Sequence, residues 1–428
     1  MQKQVFFFIT FVIVSSTVWA DNWPQWRGPR ADGTSQEKGI PIRWGPTENI
    51  AWKAPLEGLG SSTPVVWEDS IFLTSQVGSG QSAGRDFQNA TAAKNITGGT
   101  NIEFLVQAFH RSNGRLLWTY RLPVTKPLPA VHVKHNLASP SCITDGERIY
   151  AWFGTGQLVA LEMGGKVAWK QNLGQDYHPF DIRWGHGSSP ALHKDALILL
   201  CDHPPASYML ALDKHTGKRL WLVNRGKGKR SYTTPLIIPG RGGDQLIVNT
   251  TNKIEAFDPV TGKSLWSIGQ PNRVPVPTPV YHDGVLYASR GYRSGPYLAV
   301  LTDTASHPSK PRLLWRVPTG APYVSSLLYY DSLIYMATER GIVSCIEAST
   351  GKIVWRERLG GVFSASPVAA DEKIYFTKEN GQTLVIDAGR ELKIVAQNET
   401  GERIVASPAI SGGHLFLRTD DHLIRVGK

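Results

Sequence analysis

One cassette recurs along the 428-residue chain: a Ser/Thr-x-Pro step, a short apolar run, an Asp/Gly turn, a second apolar run, then Asp-x-x-Thr-Gly-Lys-x-x-Trp. Clear copies end in Lys214 to Trp221, Pro259 to Trp266 and Ala348 to Trp355. Short strands recurring every roughly 40–50 residues mark units that cannot bury their own faces and must stack on neighbours. The pattern predicts an all-β propeller, and it also separates scaffold positions from positions free to carry chemistry.

Aligned on the Pro of the first step, the copies begin at Pro64, Pro140, Pro190, Pro235, Pro279, Pro367 and Pro408, with Leu327 after Ser325-Ser326 in a degenerate copy. They close on Trp118, Trp169, Trp221, Trp266, Trp315 and Trp355, with Val395 in that place in the seventh. The eighth copy reaches Lys428 before its Trp, and Asn49 to Lys53, with Trp52, supplies the missing outer strand. A ring closed by both chain ends leaves no open sheet edge. The expected architecture is therefore an eight-bladed propeller of four-stranded antiparallel blades, closed by the N-terminal strand. Seven blades would require the Leu327 copy to be spurious, yet Asp331 to Tyr335 and its Thr-Gly-Lys turn complete it. The repeated Trp residues read as packing between adjacent sheets, not as cofactor contacts.

Residues 1–20 read as a signal peptide: Lys3, an apolar run from Val5 to Val14, and a small-residue site at Val18-Trp19-Ala20. That run is too short to span a bilayer, and no later one is long enough, so no transmembrane segment is expected. Residues 21–48 form an N-terminal extension whose Trp-Pro-Gln-Trp is expected to pack across the propeller, which occupies 49–428. Export leaves the chain periplasmic or secreted. Cys142, Cys201 and Cys345 fall in separate copies on apolar runs and read as buried small hydrophobes. The net charge of +11 points to acidic partners. In an exported protein these are anionic glycans or envelope components, with no nucleic acid.

Two features interrupt the repeat. Val77 to Glu103 is a Gly/Ser/Asn-rich insertion expected to form a lid or a disordered loop, and Lys126 to Lys134 lengthens the connection into the second copy. Antiparallel alternation puts the lead-ins to the inner strands and the second-to-third-strand turns on one face, the channel mouth. There the copies disagree. The candidate ligand-binding residues on that face are His135, Asn136, Arg183, Trp184, His186, Asp202, His203, Arg230, Tyr232, Arg273, Arg290 and Arg293. A basic, aromatic rim suits anions. His135, His186 and His203 lack ligand spacing, so no metal site is expected. The sequence contains no nucleophile elbow, Gly-rich phosphate loop or Cys-x-x-Cys.

Ala211 to Lys218 and Tyr375 to Gly381 are typical halves of the blade that this cassette resembles, the PQQ-type repeat. The likeness runs from Asn49 onward. One branch of that family is the quinoprotein alcohol and glucose dehydrogenases. The resemblance to it implies PQQ over the channel, calcium held by a Glu, an Asn and an Asp, and a catalytic Asp. Its alcohol-oxidising members add a disulfide between adjacent cysteines, a pair this chain does not contain. Trp184, Asn136 and Arg290 are the substitutes such an enzyme would use for stacking, metal and quinone. The other branch contains the non-enzymatic assembly factor BamB and secreted PQQ-like propellers. Trp23 to Pro29 and Lys134 to Pro140 are similar to the secreted group. BamB itself is lipid-anchored through a Cys at the cleavage site, and no Cys stands there in this chain. The expected function is an exported, non-catalytic propeller that binds an envelope protein or anionic glycan through its mouth, the alternative being a PQQ-dependent alcohol or sugar dehydrogenase. No cofactor is assigned, and the oligomeric state is not specified by the sequence.

Overall fold

The computed structural model describes residues 21–79, 95–96, 100–125, 128–129, 131–132, 135–182, 184–251, 253–270, 274–292, 295–302 and 310–428. These residues form eight four-stranded antiparallel sheets, a two-stranded ribbon and a single helical turn, Leu173–Asp176. Each sheet is one blade of a ring. Blades 1 to 8 are numbered by their inner strands, which begin at Val65, Ile143, Ala191, Leu236, Val280, Leu328, Val368 and Ala409. The Leu327 copy is a full blade, so the count is eight. Blade 8 takes its outer strand, Ile50–Pro55, from the N-terminal side, paired antiparallel with His422–Val426.

Every blade is buried on both faces, and this explains why its middle strands read as continuous apolar runs. In blade 3, Leu197, Leu199 and Cys201 pack toward blade 2, while Ala196, Ile198 and Leu200 pack toward blade 4. Side chains alternate between faces, so one strand serves two interfaces. The core is accordingly a succession of inter-blade clusters around the ring. Cys142, Cys201 and Cys345 are buried within it as free thiols. Burial pushes the Cys142 and Cys345 thiols up to about 12, which keeps them protonated and unreactive.

The outer strands explain the Thr-Gly-Lys-x-x-Trp signature. Trp118, Trp169, Trp221, Trp266 and Trp315 stand opposite Ala108, Ala160, Ala211, Ala256 and Ala299 on the third strand, and Trp355 opposite Cys345. Each small partner makes room for the indole, which then reaches the next blade. A Cβ on Gly217 would sit 2.8 Å from the Trp169 ring, and one on Gly351 2.6 Å from Trp315. The same Trp169 and Trp315 donate their indole N–H to Lys214 O and Ala348 O of the following blade. Trp52 closes the circle on Gly114 of blade 1.

Residues 21–48 cross the face opposite the mouth. Trp23 exchanges backbone hydrogen bonds with Val66 of blade 1, and Gly33 and Ser35 pair with Ala369 of blade 7. Glu37 accepts from the backbone N–H groups of Gly412 and Gly413 in blade 8. The first residues, 1–20, lie outside the described residues. Of the insertion, Asn95–Ile96 pairs with Val131–His132 in the two-stranded ribbon, on the mouth side of blades 1 and 2. Residues 80–94 and 97–99 lie outside the described residues. Among the described residues, no helix is long and apolar enough to cross a membrane.

Candidate functional site

The channel wall is set by a belt of hydroxyls. The backbone N–H of Thr63 donates to Ser141 Oγ, and the pattern passes from blade to blade through Ser189, Thr234, Thr278, Ser326, Ser366 and Ser407 at 2.9–3.0 Å. These hydroxyls tie neighbouring inner strands together where no ladder bond exists. In blade 2 the belt residue is Ser141, which follows Pro140, and the inner strand starts at Ile143. Cys142, not Pro140, therefore occupies the place that Pro64 and Pro190 hold in blades 1 and 3. Alignment on the Pro is two residues out of register there.

At the belt the N-terminal extension reaches the axis. Trp26 of the N-terminal extension lines a cavity of about 120 Å³ together with Ser141, Ser189, Thr234, Ser366 and Ser407. Arg27, 1% exposed, lies beside it with Nη2 donating to Leu327 O at 2.7 Å. The sequence placed the extension against the propeller but gave no sign that Trp26 enters the axis. Its nearest signal was the clustering of Trp23, Pro24 and Trp26.

Above the belt, the lead-ins of blades 3 to 6 converge. Ile182, Tyr232 and Val274 form a buried cluster, with Trp184, Val276, Tyr292 and Tyr323 packed against it. Trp184 and Tyr232 stack with centroids 6.4 Å apart and planes at 29°. Arg230 stands two residues from Tyr232, half-buried, with its backbone held by Thr251. Its guanidinium has no hydrogen bond or ion pair among the described residues. The ribbon joins this rim, because His132 N donates to Trp184 O.

The remaining candidates sit deeper. His135 lies under the blade 3 lead-in, where a Cβ on Gly185 would come within 2.8 Å of its ring, and burial lowers its pKa to about 4. His186 and His203 are fully buried against Trp152 and Phe180. His186 Nε2 must donate to Ser188 O, which leaves its Nδ1 to accept from His203 Nε2 at 3.3 Å. Both rings are thus neutral, and burial lowers His203 to about 3 and His186 well below the ordinary value. They brace blades 2 and 3 behind the mouth.

Asn136 and Asp202 are turned into the wall. The Asn136 amide donates to Ser61 Oγ and accepts from Ala138 N. Asp202 is completely buried and grips Arg225 through Nε at 2.7 Å and Nη2 at 3.3 Å. Arg225 also binds Glu255 at 2.8 Å. Burial opposes ionisation of Glu255, yet the Arg225 and Lys229 charges hold its carboxyl below the usual range. Arg290 is 2% exposed and donates to Asn249 Oδ1 and, at 3.0 Å, to Gln270 O. Lys134, Arg183, Arg273 and Arg293 lie outside the described residues.

Residues 102–311 and 304–393 match the profile of the outer membrane protein assembly factor BamB, a PQQ-like repeat family. The chain belongs to the PQQ-like β-propeller family. Among solved structures it resembles BamB from Moraxella catarrhalis at 15% identity and TM-score 0.59, covering 88% of this chain and 99% of that one. It also resembles a europium-containing methanol dehydrogenase at 13% identity and TM-score 0.68, over 93% of this chain and 89% of that one. A curated relative is the tetrathionate hydrolase of Acidithiobacillus ferrooxidans, 24% identical over 336 residues. That match covers 72% of this chain and 60% of the relative, so the propeller spans less than two thirds of that protein.

A calcium-bound quinone would require converging oxygen donors. Among the described residues of this PQQ-like propeller, no three His, Cys, Asp or Glu side chains converge as metal ligands. Asn136 has its amide engaged on both sides, Asp202 is committed to Arg225, and Arg290 is held by Asn249 and Gln270. The roughly 120 Å³ above Trp26 also falls short of the roughly 300 Å³ at the small end of organic-ligand pockets. These residues do not fit the group.

Proposed function

We propose that this PQQ-like propeller is an exported envelope protein that binds a ligand bearing acidic groups, a partner protein or glycan, at the mouth and does not transform it. The observation that carries this reading is the Trp184–Tyr232 stack together with the Arg230 guanidinium, two residues along from Tyr232, which no described residue engages. Aromatic faces offer apolar area at little entropic cost, and a guanidinium adds a planar donor fork for carboxylate, sulfate or phosphate.

The test compares the wild type with Trp184→Ala/Arg230→Glu on an array of sulfated and carboxylated glycans, and in pull-downs from an envelope extract. Binding by the double variant is expected to fall at least about tenfold. Retention of no acidic ligand by the wild type, or equal binding by the variant, refutes the reading.

A second reading takes its support from the tetrathionate hydrolase relative, since tetrathionate is itself a dianion. Incubation with tetrathionate, followed by chromatography of the sulfur anions, separates turnover from simple binding.

A further inference from the structure

We propose that the channel axis holds a small inorganic anion, a halide or an oxyanion, ringed by the belt hydroxyls above Trp26. This site shares Tyr232 and Val276 with the floor of the mouth but takes its polar lining from the belt, and it does not depend on the mouth having a ligand.

The first observation is an excess of donors. Ser141, Ser189, Thr234, Ser366 and Ser407 each accept a backbone N–H from the preceding blade and all line the cavity. A hydroxyl carries one proton besides its acceptor lone pairs. Among the described residues none of these five protons has an acceptor, so each can turn to whatever fills the axis. The Trp26 indole N–H likewise has no acceptor among the described residues. Because the belt oxygens already take an N–H, the ring presents hydrogens inward more readily than lone pairs, a polarity that suits an acceptor.

The second observation is charge. Three buried arginines lie behind the belt at separate points, and among the described residues none belongs to an ion pair. Arg27 donates to Leu327 O, next to the belt residue Ser326, and its Nε and Nη1 are buried without a partner. Arg418 donates to Ser62 Oγ, next to Thr63. Arg290 holds Asn249, whose amide donates to Pro277 O next to Thr278. The carboxylates of Asp32, Glu255 and Asp420 lie within electrostatic reach of Arg27, Arg290 and Arg418, but none is hydrogen-bonded to that guanidinium among the described residues, and a counter-ion on the axis would complete a partial compensation. Glu379, which accepts from the lining Ser364, adds a carboxylate on the blade 7 side.

The third observation is size. A water needs roughly 10–15 Å³ of such space, so a cavity of about 120 Å³ admits a halide or a sulfate-sized anion with its nearest waters.

Bromide is the probe. Crystals soaked in sodium bromide and measured at the bromine edge should show an anomalous peak on the axis between the belt and Trp26. In solution, Tm should rise with bromide and saturate, while gluconate at equal ionic strength, a bulkier and more strongly hydrated anion, raises it far less. Ser189→Ala/Ser366→Ala removes two donors and should raise the half-saturating bromide concentration about tenfold. The mouth variant Trp184→Ala/Arg230→Glu should keep the peak whether or not the mouth binds acidic ligands. Absence of an axial peak in the wild type, a bromide effect matched by gluconate, or a response unchanged in the serine variant overturns the proposal.

Discussion

At the rim, one contact is repeated around the ring: Trp169 lies on Gly217, Trp221 on Gly262, Trp315 on Gly351 and Trp52 on Gly114. At the mouth, the lead-ins carry Trp184 in blade 3, Tyr232 in blade 4, Val274 in blade 5 and Tyr323 in blade 6. The rim repeats because each blade touches only its neighbours, so every interface faces the same packing problem and settles on the same answer. The mouth side chains face a shared space and are under no such constraint. Divergence there is permitted by the fold, and it is where a ligand can be specified.

The largest expected effect tests whether a residue near the mouth in sequence belongs to the wall. Asp202→Ala leaves the buried Arg225 with only Glu255 and should cost about 3–5 kcal/mol by chemical denaturation. A loss below 1 kcal/mol would return Asp202 to the mouth.

The His186–His203 pair comes next. Both pKa values are held below 6.5 in the folded protein, so the unfolded chain takes up protons that the folded chain refuses. Stability should be flat above about pH 7 and decline as pH falls below about 6.5, by about 2–3 kcal/mol at pH 5.5. Replacing the pair by His186→Gln/His203→Phe should remove most of that slope.

Third, Gly217→Val puts a branched side chain at φ +73°, against the Trp169 ring, and should cost about 2 kcal/mol. At the other pole, Trp184→Ala/Arg230→Glu should lower mouth binding at least about tenfold while Gly217→Val leaves it unchanged, and equal losses of binding would erase the contrast between the two regions. The smallest effect concerns the thiols: adding reductant should leave Tm unchanged, since Cys142, Cys201 and Cys345 form no disulfide.

The blade count, the closing role of Trp52 and the scaffold role of the repeated Trp were legible in the sequence. Each is a local pattern copied many times, and even Cys345 keeps the small-residue slot that Ala211 and Ala256 fill in their blades. The candidate site was legible only as a face. The sequence placed Asn136, Trp184, Asp202 and Arg230 on it alike, but direction is decided by partners far along the chain. Asn136 turns to Ser61, Asp202 turns to Arg225, and Trp184 meets Tyr232. The two-residue slip at Ser141 leaves no local trace, because Pro140 satisfies the pattern while the belt selects a hydroxyl by its distance to the next blade.

By itself, then, the sequence determined a closed ring of eight blades, because the alternation of apolar runs and turns is enforced residue by residue along each strand. Only the tertiary structure decided that Trp26 reaches the axis, that a belt of hydroxyls ties blade to blade around it, and that buried arginines reach across to chain segments far away in sequence. Those features depend on which blades face one another across the channel. Contacts between residues hundreds of positions apart, such as Arg27 with Leu327 and Arg418 with Thr74, leave no periodic trace in a linear chain.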